Sequence, residues 1–168
     1  EGTSPDINDR AGFRRPTAEV LQLEGQLRSD VETRMSLGLN ADVEYVQQLR
    51  GSAQDVGSAE LNIPLTQAEY EEFKERNAFA NEASTTVLPY TEALPTFGGA
   101  FFDHSSHGDL VILLTEDDAE VRNQIHTLAP KERATHVELV DHTEAELRQA
   151  IESVWEVWEA VGGPELLA

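Results

Sequence analysis

The sequence predicts an α+β fold, a two-layer sandwich in which helices cover one face of a three-stranded sheet. Two apolar runs, Phe97–Asp103 and residues 110–115, flank a polar turn as in a β-hairpin. A helical pattern over residues 117–128 then leads to a third strand-like run, residues 136–140. The other segments with helical periodicity must bury their apolar faces near this sheet.

The element order β-β-α-β-α also predicts how the strands are arranged. A strand–helix–strand crossover is right-handed, and if the third strand passes over the first, the order in the sheet is 2-1-3. The second strand is almost continuously apolar, which predicts burial on both faces or a central position. Gly98 and Gly99 predict a bulge near the start of the first strand.

Three helices are predicted before the sheet. The first covers residues 17–38, and Gly25 in its middle suggests a close contact with another helix. The second covers residues 40–51. The third opens at Thr66, where the letters TQAE form a capping box, and ends before Pro89 because a residue preceding proline avoids the helical region.

The last helix has the strongest amphipathic pattern in the chain. It begins at Thr143 with a second capping box, TEAE, and its apolar side chains recur at spacings of three and four. We expect this face to pack near the sheet, with the two tryptophans as core and edge aromatics. The apolar positions are Leu147, Ile151, Val154, Trp158 and Val161, with Trp155 beside them.

These elements divide the chain into four predicted parts. Residues 1–16, rich in Gly, Pro, Asp and Arg, form a flexible arm. Residues 17–65 form a helical region that packs on the core, and residues 66–161 form the α+β domain. Residues 162–168 are a tail or linker. Because the only methionine is Met35, we expect an N-terminal piece to have been removed.

Composition excludes several classes of function. The chain carries 32 acidic and 12 basic residues, a net charge of −20, which opposes binding to nucleic acid or anionic membranes. The absence of cysteine excludes disulfides, thiolate zinc sites and cysteine nucleophiles. No apolar run approaches the roughly 20 residues of a membrane span, so no membrane insertion is predicted. The acidity favours a basic protein partner or loose cation binding.

The predicted hairpin turn contains the residues best suited to a metal. Two histidines three positions apart can share a zinc ion, and carboxylates flank them. The same residue types are also what turns prefer, so a solvated turn is the stronger interpretation and no cofactor is predicted. The weak candidate ligands are Asp103, His104, His107 and Asp109.

No pattern in the sequence indicates catalysis. Ser105 or Ser106 could be combined with His136 or His142 and with Asp141, but the nucleophile elbow G-x-S-x-G is absent. The phosphate loop and the dinucleotide fingerprint are absent too. We therefore predict no enzymatic activity.

The series FGGAFFDH, GDLVILLT, helix, strand and HTEAEL carries a family resemblance. It resembles the pro-region subdomain of secreted bacterial chymotrypsin-like serine proteases, the alpha-lytic protease and streptogrisin group. The likeness covers residues 66–151. The matching positions are the cap Thr66, residues 98–103, 110–115 and 136–140, and Leu147.

The resemblance implies a secreted or extracytoplasmic domain that assists the folding of a protease and holds it inactive. The chain departs from the family because it has one such subdomain, no protease domain and no counterpart of the inhibitory C-terminal tail. The helices predicted between residues 17 and 49 lie outside the family pattern.

Three hypotheses follow. The first is a non-enzymatic pro-region-like domain that binds a serine protease domain in cis or another protein. Its contact surface would be the sheet edge and the uncovered sheet face, with Phe97, Phe101 and Leu110 as protein-binding candidates. The second is a stand-alone extracytoplasmic structural or ligand-binding domain. The third is a small metal-binding protein or hydrolase that uses the hairpin histidines. The sequence sets no oligomeric state.

Overall fold

The computed structural model describes Val20, Leu23 and residues 25–160, which form seven helices and one mixed three-stranded sheet. The predicted α+β class is confirmed. The predicted arm, residues 1–16, the predicted first-helix start at Thr17 and the predicted tail, residues 162–168, lie outside the described residues. The elements are α1 (Gly25–Ser36), α2 (Val43–Leu49), α3 (Ser58–Leu61), α4 (Gln67–Thr86), α5 (Leu88–Glu92), β1 (Phe97–Asp103), β2 (Asp109–Leu114), α6 (Ala119–Leu128), β3 (Thr135–Leu139) and α7 (Glu144–Ala160).

The strands lie in the order β1-β2-β3, so the predicted order 2-1-3 was wrong. The hairpin places β1 antiparallel to one side of β2, and β3 runs parallel to the other side. The crossover needs to shift the chain by only one strand, and the ten-residue α6 is long enough to do so. β3 therefore pairs with the free side of β2 without passing over β1.

β2 is the central strand and is buried on both faces, as its apolar run predicted. Leu110, Ile112 and Leu114 face the core, and Val111 is fully buried on the opposite face. The predicted bulge in β1 is present as a register shift between Phe97 and Gly99. These features follow from the sequence because a continuous apolar run has no polar side to face water, and glycine in a strand favours a bulge.

One hydrophobic core joins α4, α5, the sheet and α6. Phe79 of α4 meets Phe102 of β1 edge to face, with ring centroids 6.2 Å apart. Ile125 of α6 is fully buried in the same cluster. Thus α4 and α6 both pack against one face of the sheet. α5 follows α4 almost directly, because proline is tolerated in the first turn of a helix.

The N-terminal helices form a second, smaller cluster. It contains Val20, Val31 and Val46 and includes α1 and α2. The prediction of one helix over residues 17–38 was wrong, because Leu23 is not helical and Gly25 has φ +61°, which a right-handed helix cannot contain. Gly25 opens α1 instead of making a close helix contact, since a Cβ there would meet nothing.

Charged and polar contacts join this helical region to α4. The side chain of Arg34, fully buried, donates to the carbonyls of Asn40 (2.6 Å) and Pro64 (2.5 Å) and to the carboxylate of Glu69. Glu69 also closes the predicted capping box with Thr66, which is confirmed. Burial raises the pKa of Glu69, but the hydrogen bonds from Arg34 and Thr66 outweigh it and hold that pKa below its ordinary value.

Candidate functional site

The hairpin turn is built around Asp103. This carboxylate is buried, and it accepts hydrogen bonds from the backbone amide of Ser105 (2.9 Å) and from the hydroxyls of Ser105 (2.6 Å) and Ser106 (3.2 Å). It thereby caps the short 3₁₀ turn at His104–Ser106. Asp103 serves as the structural centre of the turn.

The two histidines of the turn meet different surroundings. His104 is half-buried, and both its burial and the charge of Arg76 hold its pKa below the ordinary value despite the opposite effect of Asp103. His107 is exposed, and its Nδ1 lies 2.7 Å from the carboxylate of Glu72 on α4. Because one ring is held inward and the other lies against a helix, the two do not form a paired ligand set.

Asp109 is directed to the third strand. Its carboxylate accepts a hydrogen bond from the backbone amide of Ala134 (3.2 Å), and its other oxygen lies 3.3 Å from Nε2 of His136. The four candidate ligands thus have separate partners. Within residues 25–160, no three His, Cys, Asp or Glu side chains are placed to hold a metal ion.

The serines and the histidine of the hypothetical Ser-His-Asp set do not contact one another. The hydroxyls of Ser105 and Ser106 donate to Asp103, whereas the ring of His136 contacts Asp109. Both serines therefore bond one carboxylate, and the histidine contacts another. The Ser–His hydrogen bond that activates a nucleophile is not formed by these groups.

The structure separates the three protein-binding candidates. Phe97 and Leu110 belong to the hydrophobic core, so neither side chain is available to a partner. Phe101 is half-buried and lies across from Val111, on the face of the sheet away from α4. The first two were misplaced because the sequence shows that a strand residue is apolar but not which face it occupies.

Helix α7 provides a larger apolar surface. Its 17 residues extend about 26 Å at 1.5 Å per residue, more than the roughly 20 Å of the six-residue β2. The expectation that its apolar face packs near the sheet was wrong. The exposed fractions run from 47% to 68% for Leu147, Ile151, Val154, Trp155 and Val157, and Trp158 is half-buried.

Within the described residues, α7 meets the rest of the fold at its beginning. The predicted capping box is confirmed, because Thr143 and Glu146 exchange hydrogen bonds of 2.8 and 3.1 Å. Next to it, a shallow groove of about 540 Å³ lies between the first turns of α7, at Ala145 and Arg148, and the segment before β1. Beyond these turns the helix extends with its stripe uncovered by the described part of the chain.

The polar side of α7 is strongly acidic. The helix contains five glutamates and one arginine, a net charge of −4. Arg148 donates to Glu144 at 2.6 Å, one turn earlier. We use the name apolar stripe for Leu147, Ile151, Val154, Trp155, Val157 and Trp158. The sequence signals for this surface were the length and the apolar periodicity of α7, and neither shows whether the stripe is covered, since the 20-residue α4 is longer and packs against the core.

The chain matches no family model, no curated protein and no solved structure. Among the described helices, none combines the length and the apolar character that crossing a membrane requires. The apolar stripe of α7 is therefore the candidate functional surface on the grounds of its geometry alone.

Proposed function

We propose that this chain is a non-enzymatic, secreted domain that acts by binding a protein, in the manner of a protease pro-region. The observation that carries the proposal is the apolar stripe of α7. Its exposed area is on the order of 500 Å², which lies in the upper part of the range for the largest apolar patch on a monomer. A patch of this size is often functional, and an interaction with another protein is one such function.

The groove at the start of α7 supports the same proposal. α7 begins beside β1, and the groove at its first turns is lined in part by Leu94, Pro95 and Ala145. The groove and the apolar helix in this arrangement can bind one partner together.

The family resemblance indicates which partner to test. We propose as the partner a chymotrypsin-like serine protease domain, attached in cis or separate. The chain would assist the folding of that domain and inhibit its activity. We propose that residues 66–161, a domain with helices on one face of the sheet, are the part of the chain that carries this function. The packing of α4 and α6 on one face supports it.

The direct test is refolding and inhibition of a purified bacterial serine protease of the alpha-lytic protease and streptogrisin group. We expect the added chain to raise the yield of active protease after dilution from denaturant and to slow peptide hydrolysis by the native enzyme. The variant Ile151→Glu should lose both effects. Ala160→Glu, which adds the same charge on the opposite side of α7, should retain them.

The sequence that follows Ala168 in the gene provides an independent check. A serine protease domain there would support action in cis. If the chain neither binds nor refolds any protease of this group, and no such domain follows it, the proposed function is wrong.

A further inference from the structure

The borders of the apolar stripe differ in charge. A helix turns by about 100° per residue, so side chains three or four positions apart share one side. Glu152 and Glu159 therefore lie beside Trp155 along one border of the stripe. Along the other border, Ala150 and Ser153 lie beside Val157 and carry no charge.

Another glutamate of α7 lies on the side of the helix away from the stripe. Glu156 lies nearly opposite the middle of the stripe, and like Glu152 and Glu159 it is exposed. All three carry the same charge on the same helix, but only two can face a partner that covers the stripe. In its C-terminal half, the stripe thus has one acidic border and one neutral border.

These charges discriminate between the candidate occupants. A second copy of the chain would bring another net charge of −20 against the first, of which −4 lies on α7 itself. An anionic lipid surface would repel the same helix. A protein surface with Lys or Arg along one side of an apolar groove would pair with Glu152 and Glu159 while it buries the stripe.

We infer that α7 docks in an apolar groove of a separate protein whose lysines or arginines line the side that meets Trp155. This inference rests on the proposed function, since it names the partner chemistry of the same binding surface. The stripe supplies the buried area, and the acidic border sets the orientation of the helix in the groove. The binding mode is an amphipathic helix recognised by an apolar groove of complementary charge.

The tryptophans permit a direct measurement. The chain has two, Trp155 and Trp158, and both lie on α7, so intrinsic fluorescence reports burial of the stripe without a label. The probes are two synthetic amphipathic peptides without tryptophan that share an apolar face of leucines. One has lysines along the borders of that face, and the other has glutamates. We expect the lysine peptide to cause a saturable blue shift that salt weakens, and the glutamate peptide to cause none.

Charge reversal tests the side of approach. We expect Glu152→Lys/Glu159→Lys to weaken binding of the lysine peptide about tenfold, because two attractions become repulsions worth a fraction of a kcal/mol each. The matched variant Glu156→Lys, on the back of the helix, should change it less than about twofold. Circular dichroism of each variant checks that the helix content is unchanged, as expected for exposed positions.

Several results would overturn the inference. They are equal binding of the two peptides, equal effects of the border and back variants, and a blue shift on self-association or with phosphatidylcholine vesicles alone. If the chain binds the protease and Glu152→Lys/Glu159→Lys has no effect on that binding, the inference fails while the proposed function stands. If the lysine peptide binds selectively but no protease does, the proposed function fails instead.

Discussion

Replacement of Arg34 by methionine is the sharpest test of how the N-terminal helices are attached. The guanidinium has no exposed surface, whereas the carboxylate of Glu69 is 17% exposed. Methionine keeps much of the apolar length of the side chain but removes every hydrogen-bond donor. The change therefore leaves Glu69 without its charged partner and orphans the carbonyls of Asn40 and Pro64.

The expected loss is large compared with the stability of a domain of this size. Removing one member of a buried ion pair costs about 3 to 5 kcal/mol, and a small protein is stable by only about 5 to 15 kcal/mol. Arg28→Met is the matched control, since Arg28 lies on the same helix and pairs with Glu32 at 2.8 Å. That pair is about two-fifths exposed, so its loss should cost about 0.5 kcal/mol or less.

The assay is urea unfolding followed by far-ultraviolet circular dichroism, because both tryptophans lie on α7 and would report poorly on this region. The free energy of unfolding should fall by several kcal/mol for Arg34→Met and hardly change for Arg28→Met. Equal losses for the two variants would refute the argument, because they would mean that the buried pair does not hold the helical region to α4.

Three further predictions concern packing, backbone and pH. Ile125→Ala should lower the free energy of unfolding in urea by about 2 to 5 kcal/mol, because Ile125 is fully buried, whereas Ile151→Ala should lower it by less than about 0.5 kcal/mol. Similar losses for the two variants would mean that the stripe of α7 is packed. Gly38→Ala should lower the free energy of unfolding more than Gly51→Ala does. Both have positive φ, but only at Gly38 would a Cβ collide with the carbonyl of the hairpin turn. Because the pKa of Glu69 is depressed below 4.5, the stability that its ionised form contributes is present above that pH and is lost as pH falls through the folded-state pKa. Acid unfolding of Glu69→Gln should therefore depend less steeply on pH below about 4.5, and an unchanged slope would contradict this.

The local structure of the chain followed from its sequence. β1 spans the predicted residues, and the other two strands and α6 lie within one or two residues of the predicted bounds. Both capping boxes formed, because their hydrogen bonds join residues only three positions apart. Burial of β2 on both faces was predictable for a similar reason, since a continuous apolar run has no polar side to turn towards water.

The tertiary structure decided what depends on contacts between distant segments. The order of the strands was open because residues of β3 could pair with either free edge of the hairpin. Phe97 and Leu110 appeared available to a partner until the register placed them in the core. The apolar periodicity of α7 predicted an amphipathic helix correctly. Whether the stripe is covered depends on where the helix starts and on the length of the strands beside it. Periodicity along one helix contains no information about either, so the exposure of the stripe was decided by the tertiary structure.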